Sequence, residues 1–423
     1  MQKKIVAFSL GLVTSAVAIA QAPKQFQGQG PIQAVSTESR PVQKQWKGTF
    51  SFPTGEVYFD NNFDGARLNG LLQVNDSTYT ALITAENTPV NESPWYAFKV
   101  WAKSASNITI KLTYTQGVKH RYAPKISQNG TIWASLESAN AKKEFELDTI
   151  PVEYTFHLKI GPKATWVAAQ ELSTSAVIKQ WSDGIAKKPN VTATTIGHST
   201  WGKPITLLKI GNPASKNRIL VIGRQHPPEV TGTLAQEAFI EEILGNKELA
   251  RTFREKFLIY VVPLMNPDGV DGGFWRHNAG GIDLNRDWAA FHQPETKAVR
   301  DFLQKELSDG NSKLWFGLDF HSTHDDIFYI VDPKLTGLLP GFNQEWLGQV
   351  KERIPGYTPN IKPLYSEGPT STSFSYLFKT YGTEASVYEI GDKTSREFIL
   401  QKSQVAADAM MELLLKRSSI KNK

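Results

Sequence analysis

The sequence contains no cysteine. That absence excludes a thiol nucleophile, a disulfide framework and any zinc site that uses Cys sulfur. It also leaves a bacterial lipid anchor without an attachment point. A secreted protein often uses disulfides, but 423 residues are enough to bury a large core without them.

A strong charge of either sign is also missing. The formal net charge is +6, from 47 basic and 41 acidic side chains. No dense run of Lys and Arg occurs before residues 416–423. These features argue against nucleic acid as a partner. No pattern in the sequence indicates an oligomeric state.

Long apolar runs are missing after the first twenty residues, where none reaches the length of about 18 that spans a bilayer. At the start of the chain, Lys3 and Lys4 precede an apolar run over residues 5–19, and residues 18–20 read Ala-Ile-Ala. This layout predicts a signal peptide at residues 1–20 and therefore an exported protein, periplasmic or secreted. The run is too short for a membrane helix, so we expect no stable membrane insertion of the mature chain.

Composition and periodicity divide the rest of the chain into three parts. Residues 21–45 are rich in Gln, Pro, Gly and Ser, which predicts a flexible leader. Residues 46–168 contain short, alternating segments of β-branched and aromatic residues, which predict an all-β sandwich domain. Over residues 169–417, helical patterns alternate with apolar strands. This predicts an α/β domain with a mixed, mainly parallel sheet flanked by helices.

Candidate metal ligands follow two of the predicted strands. The strand at 219–222 leads to His226 and Glu229, and the strand at 315–320 ends at His321. Ligands bind at the carboxyl ends of strands in open α/β sheets, so these side chains can meet at one edge. Two imidazoles and one carboxylate, with a position left open, would form a catalytic zinc site.

Further polar residues could serve such a site. Of the two arginines Arg276 and Arg286, one can stabilise an oxyanion, and the other can bind a terminal carboxylate in bidentate fashion. Glu389, in a late predicted strand, is suited to be a general base. The alternatives are ordinary, since arginines usually form surface salt bridges and an isolated strand Glu is more often solvated or paired.

The order of these segments resembles the zinc carboxypeptidases of the carboxypeptidase A type. The matching series, over about residues 170–415, is His226-x-x-Glu229, Asn266-Pro267-Asp268-Gly269, Trp275-Arg276, Asp283-x-Asn285-Arg286-x-Trp288, His321-Ser322 and Glu389. The resemblance implies a zinc carboxypeptidase catalytic domain at 169–417. It also implies a metallocarboxypeptidase, a hydrolase that cleaves the C-terminal peptide bond of peptides or proteins through a metal-activated water.

The resemblance implies roles at the metal. One Zn²⁺ per chain would be bound by His226, Glu229 and His321. Arg276 would polarise the scissile carbonyl. Glu389 would activate the water and pass its proton to the leaving amine.

The resemblance also implies roles around the substrate. Asn285 and Arg286 would bind its free C-terminal carboxylate. Asp283 would orient a ligand imidazole from behind. Tyr365, located by counting back from Glu389, would be the mobile tyrosine that caps the substrate.

Two departures refine the resemblance. Pro227-Pro228 stands where many pancreatic-type members have an Arg between the ligand His and Glu, so the cation of that subsite is missing. His-Pro-x-Glu behind a β-rich domain is closer in layout to the cytosolic-type carboxypeptidase branch. The predicted signal peptide argues against a tubulin-tail substrate.

Two other functions remain open from the sequence. One is an exported amidase on the same scaffold that cuts cell-wall peptides, which would ignore amidation of the C-terminus. The other is a non-catalytic zinc-binding relic whose β-domain binds a surface polymer, against which the complete set of matching residues argues.

Overall fold

The structure, a computed structural model, describes residues 25–52, 54, 56–115, 117–136, 153–365 and 371–421. The predicted signal peptide and residues 21–24 of the predicted leader lie outside these ranges. None of the described helices is long and apolar enough to cross a membrane.

Two sheets make up the N-terminal part. Its strands are β1 (Thr49–Ser51), β2 (Val57–Asp60), β3 (Gly70–Asn75), β4 (Thr78–Ile83), β5 (Ala97–Ala102), β6 (Ser106–Tyr114), β7 (Lys125–Ser127), β8 (Ala134–Ser135), β9 (Glu153–Ile160) and β10 (Thr165–Ala168). One sheet has the order β1-β2-β5-β10-β7-β8, and the other has the order β3-β4-β6-β9.

The alternation of buried and exposed side chains along the strands explains why these sheets pack as layers. In β6 every second side chain from Ile108 to Tyr114 is buried, as expected for a strand with one face on a core. These residues share one hydrophobic cluster with Val57 and Phe59 of the other sheet. The buried faces of both sheets therefore form a common core, and we call residues 46–168 the β-rich part.

The C-terminal part alternates helices with strands. Its helices are α1 (Ser175–Ala186), α2 (Val230–Ile243), α3 (Glu248–Lys256), α4 (Pro267–Gly272), α5 (Pro294–Glu306), α6 (Phe342–Arg353), α7 (Ser373–Tyr381) and α8 (Arg396–Lys421). Its strands are β11 (Val191–His198), β12 (Pro204–Gly211), β13 (Asn217–Gly223), β14 (Leu258–Val262), β15 (Lys313–Thr323), β16 (Ile327–Val331), β17 (Ile361–Tyr365) and β18 (Glu384–Gly391).

These eight strands form one mixed sheet in the order β11-β12-β14-β13-β15-β18-β16-β17. The pairs β13–β14, β13–β15, β15–β18 and β16–β17 are parallel, and the others are antiparallel. Successive residues of β13 belong to different hydrophobic clusters. Ile219 is in the cluster that contains residues of α2, α6 and α8, whereas Leu220 is in the cluster that contains residues of α5 and α7. Helices therefore cover both faces, and the predicted fold class is confirmed.

The parallel strands β13, β15 and β18 lie side by side and position the site. Gly223 at the end of β13 is the register partner of Phe320, and His321 is the partner of Glu389. Helix α2 follows β13 and packs so closely that a Cβ on Gly232 would lie 2.6 Å from the carbonyl oxygen of His321. A larger residue there would push α2 away from the strand that carries His321.

Residues 25–45 contain neither helix nor strand, yet they lie against the C-terminal part through several hydrogen bonds. Gln293 Nε2 donates to the carbonyl oxygen of Thr37 at 2.7 Å, and the backbone N–H of Arg40 donates to Gly280 O at 2.7 Å. The sequence predicts a flexible leader here because these residues are rich in Gln, Pro, Gly and Ser. The contacts that hold it come from residues far along the chain, such as Gln293, which is 256 positions from Thr37.

Candidate metal centre and active site

Three side chains meet beyond the ends of β13 and β15. Nδ1 of His226 lies 2.8 Å from Oε1 of Glu229, and Nδ1 of His321 lies 2.7 Å from Oε2 of the same carboxylate. The two Nδ1 atoms are 3.1 Å apart. All three residues are buried, and one ligand atom from each lies within 4.8 Å of the others. These three side chains, here called the metal group, are close enough together to surround one ion.

A tight loop aims His226 and Glu229 at the same point. It begins at Arg224, which has a left-handed backbone with φ of 55°. The buried guanidinium of Arg224 donates to Pro227 O at 2.9 Å and to Thr233 Oγ1 at 2.8 Å, which ties the loop to α2. Asn266 Nδ2 then donates to Gln225 O at 3.0 Å, so the Asn-Pro-Asp-Gly turn supports the loop from the other side.

Carboxylates hold the far side of both imidazoles. Nε2 of His226 lies 2.9 Å from Oδ1 of Asp283, and Nε2 of His321 lies 3.0 Å from Oδ2 of Asp319. A carboxylate at Nε2 fixes the ring orientation and leaves Nδ1 free to bind a metal. Two oriented imidazoles and one carboxylate fit the donor set of a catalytic zinc ion.

Glu389 lies next to the metal ligands because β18 runs in register with β15. Its Cα is paired with that of His321 in the parallel ladder. Oε2 of Glu389 is buried and accepts no hydrogen bond from the described residues. Burial, and the nearby charge of Glu229, raise the pKa of Glu389 to about 7, although His321 and Arg276 oppose that shift. A carboxyl group with such a pKa can accept and return a proton near neutral pH.

Arg276 is held over the metal group by acidic partners. Its Nε donates to Oδ2 of Asp283 at 2.9 Å, and Nη1 lies 3.6 Å from Oε1 of Glu229. The backbone around it is fixed by Glu86 of the β-rich part. The two carboxylate oxygens of Glu86 accept from the consecutive N–H groups of Trp275, Arg276 and His277, at 2.7, 3.1 and 2.7 Å.

Asn285 and Arg286 come from a 3₁₀ turn, Leu284–Arg286, which Asp283 caps. Nδ2 of Asn285 is 3.3 Å from Nε2 of His321, and its Oδ1 accepts from the N–H of Ser373 at 3.0 Å. Arg286 donates to its neighbour's carbonyl oxygen at 2.7 Å. The turn therefore places Asn285 directly beside His321, and it places Arg286 4.0 Å from Oδ2 of Asp283, the carboxylate that orients His226.

Tyr365 has different surroundings. It is the last residue of β17, its side chain is 9% exposed, and its ring packs against Phe374 and Phe378 at centroid distances of 6.4 and 6.0 Å. This position is in the hydrophobic cluster beside α7. Its role as a capping tyrosine stays a prediction.

Sequence reasoning missed Asp319 and Glu86. Asp319 left a signal, because an acidic residue two positions before His321 in an otherwise apolar strand must face the same side as that histidine. Glu86 has no such signal in the sequence, because 190 positions separate it from Arg276 and its segment has no motif.

Arg121 was missed as well. This arginine of the β-rich part donates to Asp392 Oδ2 and to Ser93 Oγ, both at 2.7 Å. Burial would lower its pKa, but the charges of Asp392 and Glu229 raise it above the ordinary value. A cation therefore reaches the neighbourhood of Glu229 from the β-rich part, although the loop between His226 and Glu229 contains Pro227-Pro228 and no arginine.

Comparison with known proteins agrees with this geometry. A family model described as zinc carboxypeptidase matches residues 178–418, which is more than half of the chain. The chain belongs to the zinc carboxypeptidase family. The resemblance inferred from the order of the motifs is thus confirmed, and the predicted cofactor, Zn²⁺, is the metal of this family.

Among curated proteins, cytosolic carboxypeptidase 6 of Mus musculus is 24% identical over 288 residues, which are 63% of this chain and 53% of the relative. An uncharacterised protein of Zymomonas mobilis is 25% identical over 314 residues, 72% of this chain and 77% of the relative. The chain therefore spans about half the length of cytosolic carboxypeptidase 6 of Mus musculus.

Solved structures share the fold across both parts of this chain. A metallo-carboxypeptidase from Burkholderia cenocepacia aligns with a TM-score of 0.68 at 18% identity, covering 86% of this chain and 99% of that one. A metallo-carboxypeptidase from Pseudomonas aeruginosa, in complex with (2-guanidinoethylmercapto)succinic acid, gives 0.67 at 20% identity, with coverage of 85% and 99%.

Proposed function

We propose that the chain is a metallocarboxypeptidase that removes the C-terminal residue from peptides or proteins. One observation carries this proposal: His226, Glu229 and His321 surround one point, and Glu389 lies in register beside them. Membership of the zinc carboxypeptidase family supports the same reaction class.

The metal would be held by Nδ1 of His226, the carboxylate of Glu229 and Nδ1 of His321. When bound there, zinc supplies a Lewis acid that polarises a carbonyl group and lowers the pKa of water. Asp283 and Asp319 keep both imidazoles in the orientation that this binding requires.

The remaining chemistry falls to the chain's own side chains. Glu389 accepts a proton from the attacking water and returns it to the leaving amine, as its near-neutral pKa permits. Arg276 donates hydrogen bonds to the oxygen on which negative charge develops. Arg286, with Asn285, binds the terminal carboxylate and so selects the last peptide bond.

A peptide panel tests this function. Peptides of identical sequence with free or amidated C-termini are incubated with the protein, with and without a chelator, and the products are identified by mass spectrometry. We expect loss of single residues from free C-termini only, and no cleavage after metal removal. Equal cleavage of amidated peptides would instead establish an amidase, and no cleavage with a full complement of zinc would indicate the non-catalytic alternative.

We also propose that the protein is exported. The basic start, the apolar run at 5–19 and the Ala-Ile-Ala site support this location. The names of the mouse relatives contain the word cytosolic, and they are proteins of a different length. N-terminal sequencing of the protein from cell fractions tests the proposal, with cleavage after Ala20 expected and an intact Met1 in the cytoplasmic fraction contradicting it.

A further inference from the structure

Residues 26–29, here called the strap, are fastened to the C-terminal part by side chains around β16 and β17. Nδ2 of Asn360 donates to Phe26 O at 2.7 Å. Nζ of Lys362 donates to two more strap carbonyl groups, those of Gln27 at 2.5 Å and Gln29 at 2.7 Å. Three anchored carbonyl groups within four residues fix the path of the strap.

Gln29 brings the strap into the candidate active site. Its Oε1 is 3.5 Å from Nη2 of Arg286, the residue proposed to bind the substrate carboxylate. Its backbone N–H donates to the hydroxyl oxygen of Tyr329 at 2.8 Å. One residue therefore offers an acceptor oxygen to an arginine and a peptide N–H to a phenol.

Tyr329 belongs to the same face of the sheet as the proposed base. In the antiparallel ladder it is the register partner of Val387, which lies two residues before Glu389. Burial and the negative charge of Glu389 raise the pKa of the Tyr329 hydroxyl to about 12. The phenol is thus within electrostatic reach of Glu389 and is covered by the strap.

The fit of the strap depends on glycine at position 28. Gly28 has φ of 59°, and a Cβ there would overlap the Tyr329 hydroxyl oxygen and lie 2.8 Å from Cδ1 of Ile327. Gly30 differs, because a Cβ at that position meets no atom within 4 Å. Close approach at one glycine and open space at the other indicate that Gly28 is the residue whose small size the contact requires.

We propose that the strap occupies the substrate cleft as an internal ligand, and that Tyr329 is a further substrate-binding residue whose hydroxyl accepts a substrate peptide N–H once the strap has left. The inference rests on the proposed function of Arg286. A C-terminal substrate residue offers the same two groups as Gln29, a terminal oxygen and a peptide N–H. Its carboxylate is charged, so it binds an arginine more strongly than the neutral amide of Gln29 does. Substrate therefore competes with the strap and displaces it.

Gly28→Ala, with Gly30→Ala as the matched control, tests the proposal on the full chain. The added methyl group should dislodge the strap, so KM for a free-carboxylate peptide should fall about threefold or more while kcat stays the same. In the Gly28→Ala background, Tyr329→Phe should then raise KM again. Gly30→Ala should behave like the wild type. An unchanged KM in Gly28→Ala, or an equal fall in both alanine variants, would overturn the proposal.

Hydrogen exchange provides a readout that does not depend on turnover. The Gln29 amide should exchange faster in Gly28→Ala, and also in the Glu389→Gln protein when an acetylated dipeptide with a free carboxylate is added. No acceleration by the dipeptide would overturn the strap proposal. If the wild type cleaves no peptide, the proposed function fails, but the exchange experiment still decides whether the dipeptide displaces the strap.

Discussion

Glu86 of the β-rich part holds the backbone of Arg276, the proposed oxyanion-stabilising residue, by accepting its N–H at 3.1 Å. The same carboxylate accepts from the residues on either side of this arginine, and its side chain is fully buried. A carboxylate that accepts three backbone hydrogen bonds determines where the whole segment lies. The β-rich part therefore contributes to the active site by positioning a segment of the C-terminal part.

We predict that Glu86→Gln lowers kcat for peptide cleavage by about tenfold to a hundredfold with little change in KM. The amide keeps one oxygen but cannot accept all three hydrogen bonds, so the position of Arg276 is lost where transition-state charge develops. Steady-state kinetics measure the effect. Glu153→Gln, at an exposed ion pair with Lys111, is the control and should leave kcat unchanged. A change confined to KM would show that Glu86 does not position the arginine.

Asp319→Asn should weaken zinc binding by about tenfold to a hundredfold, because the carboxylate that orients the His321 ring is replaced by an amide. Competition with a chromophoric chelator measures the affinity. Asp183→Asn removes an exposed acid paired with Lys179 and serves as the control. Equal zinc affinity in the Asp319→Asn variant and the wild type would argue that the ring is oriented by other groups.

Glu389→Gln should nearly abolish turnover while zinc remains bound, since the amide cannot take a proton from water. Metal analysis of the purified variant, together with single-turnover assays, separates the two effects. Substantial activity with bound zinc would transfer the role of base to another residue, and loss of both zinc and activity would leave Glu389 as a structural group.

Arg286→Ala should raise KM for free-carboxylate peptides by about tenfold or more, because a charge-assisted hydrogen bond to the substrate terminus is lost. The residual activity should no longer distinguish free from amidated C-termini. Kinetics on the paired peptides measure that ratio. Persistent discrimination of free termini would place the carboxylate-binding cation elsewhere, with Arg121 as the next residue to substitute.

His120 should make the protein less stable in mild acid. Its ring stacks on Tyr154, and its Nδ1 is hydrogen-bonded to the Tyr114 hydroxyl at 2.6 Å. Burial lowers the pKa of His120 from 6.5 to about 3. Between these values the unfolded chain binds a proton that the folded chain does not, so stability falls as pH decreases below 6.5. The expected loss at pH 5 relative to pH 8 is about 2 kcal/mol.

Urea unfolding at both pH values measures this dependence. His120→Gln should show a weaker loss of stability in acid than the wild type, whereas His157→Gln, at an exposed position, should follow the wild type. An identical pH dependence in all three proteins would assign the acid sensitivity to other groups.

The metal group could be predicted from the sequence because its ligands follow the ends of two apolar strands, β13 and β15. Strand order in an α/β sheet brings such ends together, so His226 and His321 needed only adjacent strands to meet. The mixed sheet and the β-rich part could also be predicted, because the alternation of apolar and polar residues is a local property of short segments.

The residues that position the site from the β-rich part could not be predicted from the sequence. Glu86 and Arg121 act across the contact between the two parts, where pairing depends on tertiary packing and leaves no local pattern. The strap was read as a flexible leader because polar, Gly-rich composition indicates only that a segment cannot form its own core. Composition does not report whether Lys362 and Tyr329, which are 333 and 300 positions from Gln29, hold that segment in place.

Trp275 is buried in the hydrophobic cluster of the β-rich part, and its indole N–H donates to Trp95 O at 3.1 Å. Its neighbour is the arginine proposed for catalysis. If the two parts were produced as separate chains, Trp275 would lose the hydrophobic contacts and the hydrogen bond that hold it. The adjoining segment with Arg276 would then no longer be held in place. We expect neither part to be an active enzyme when produced alone.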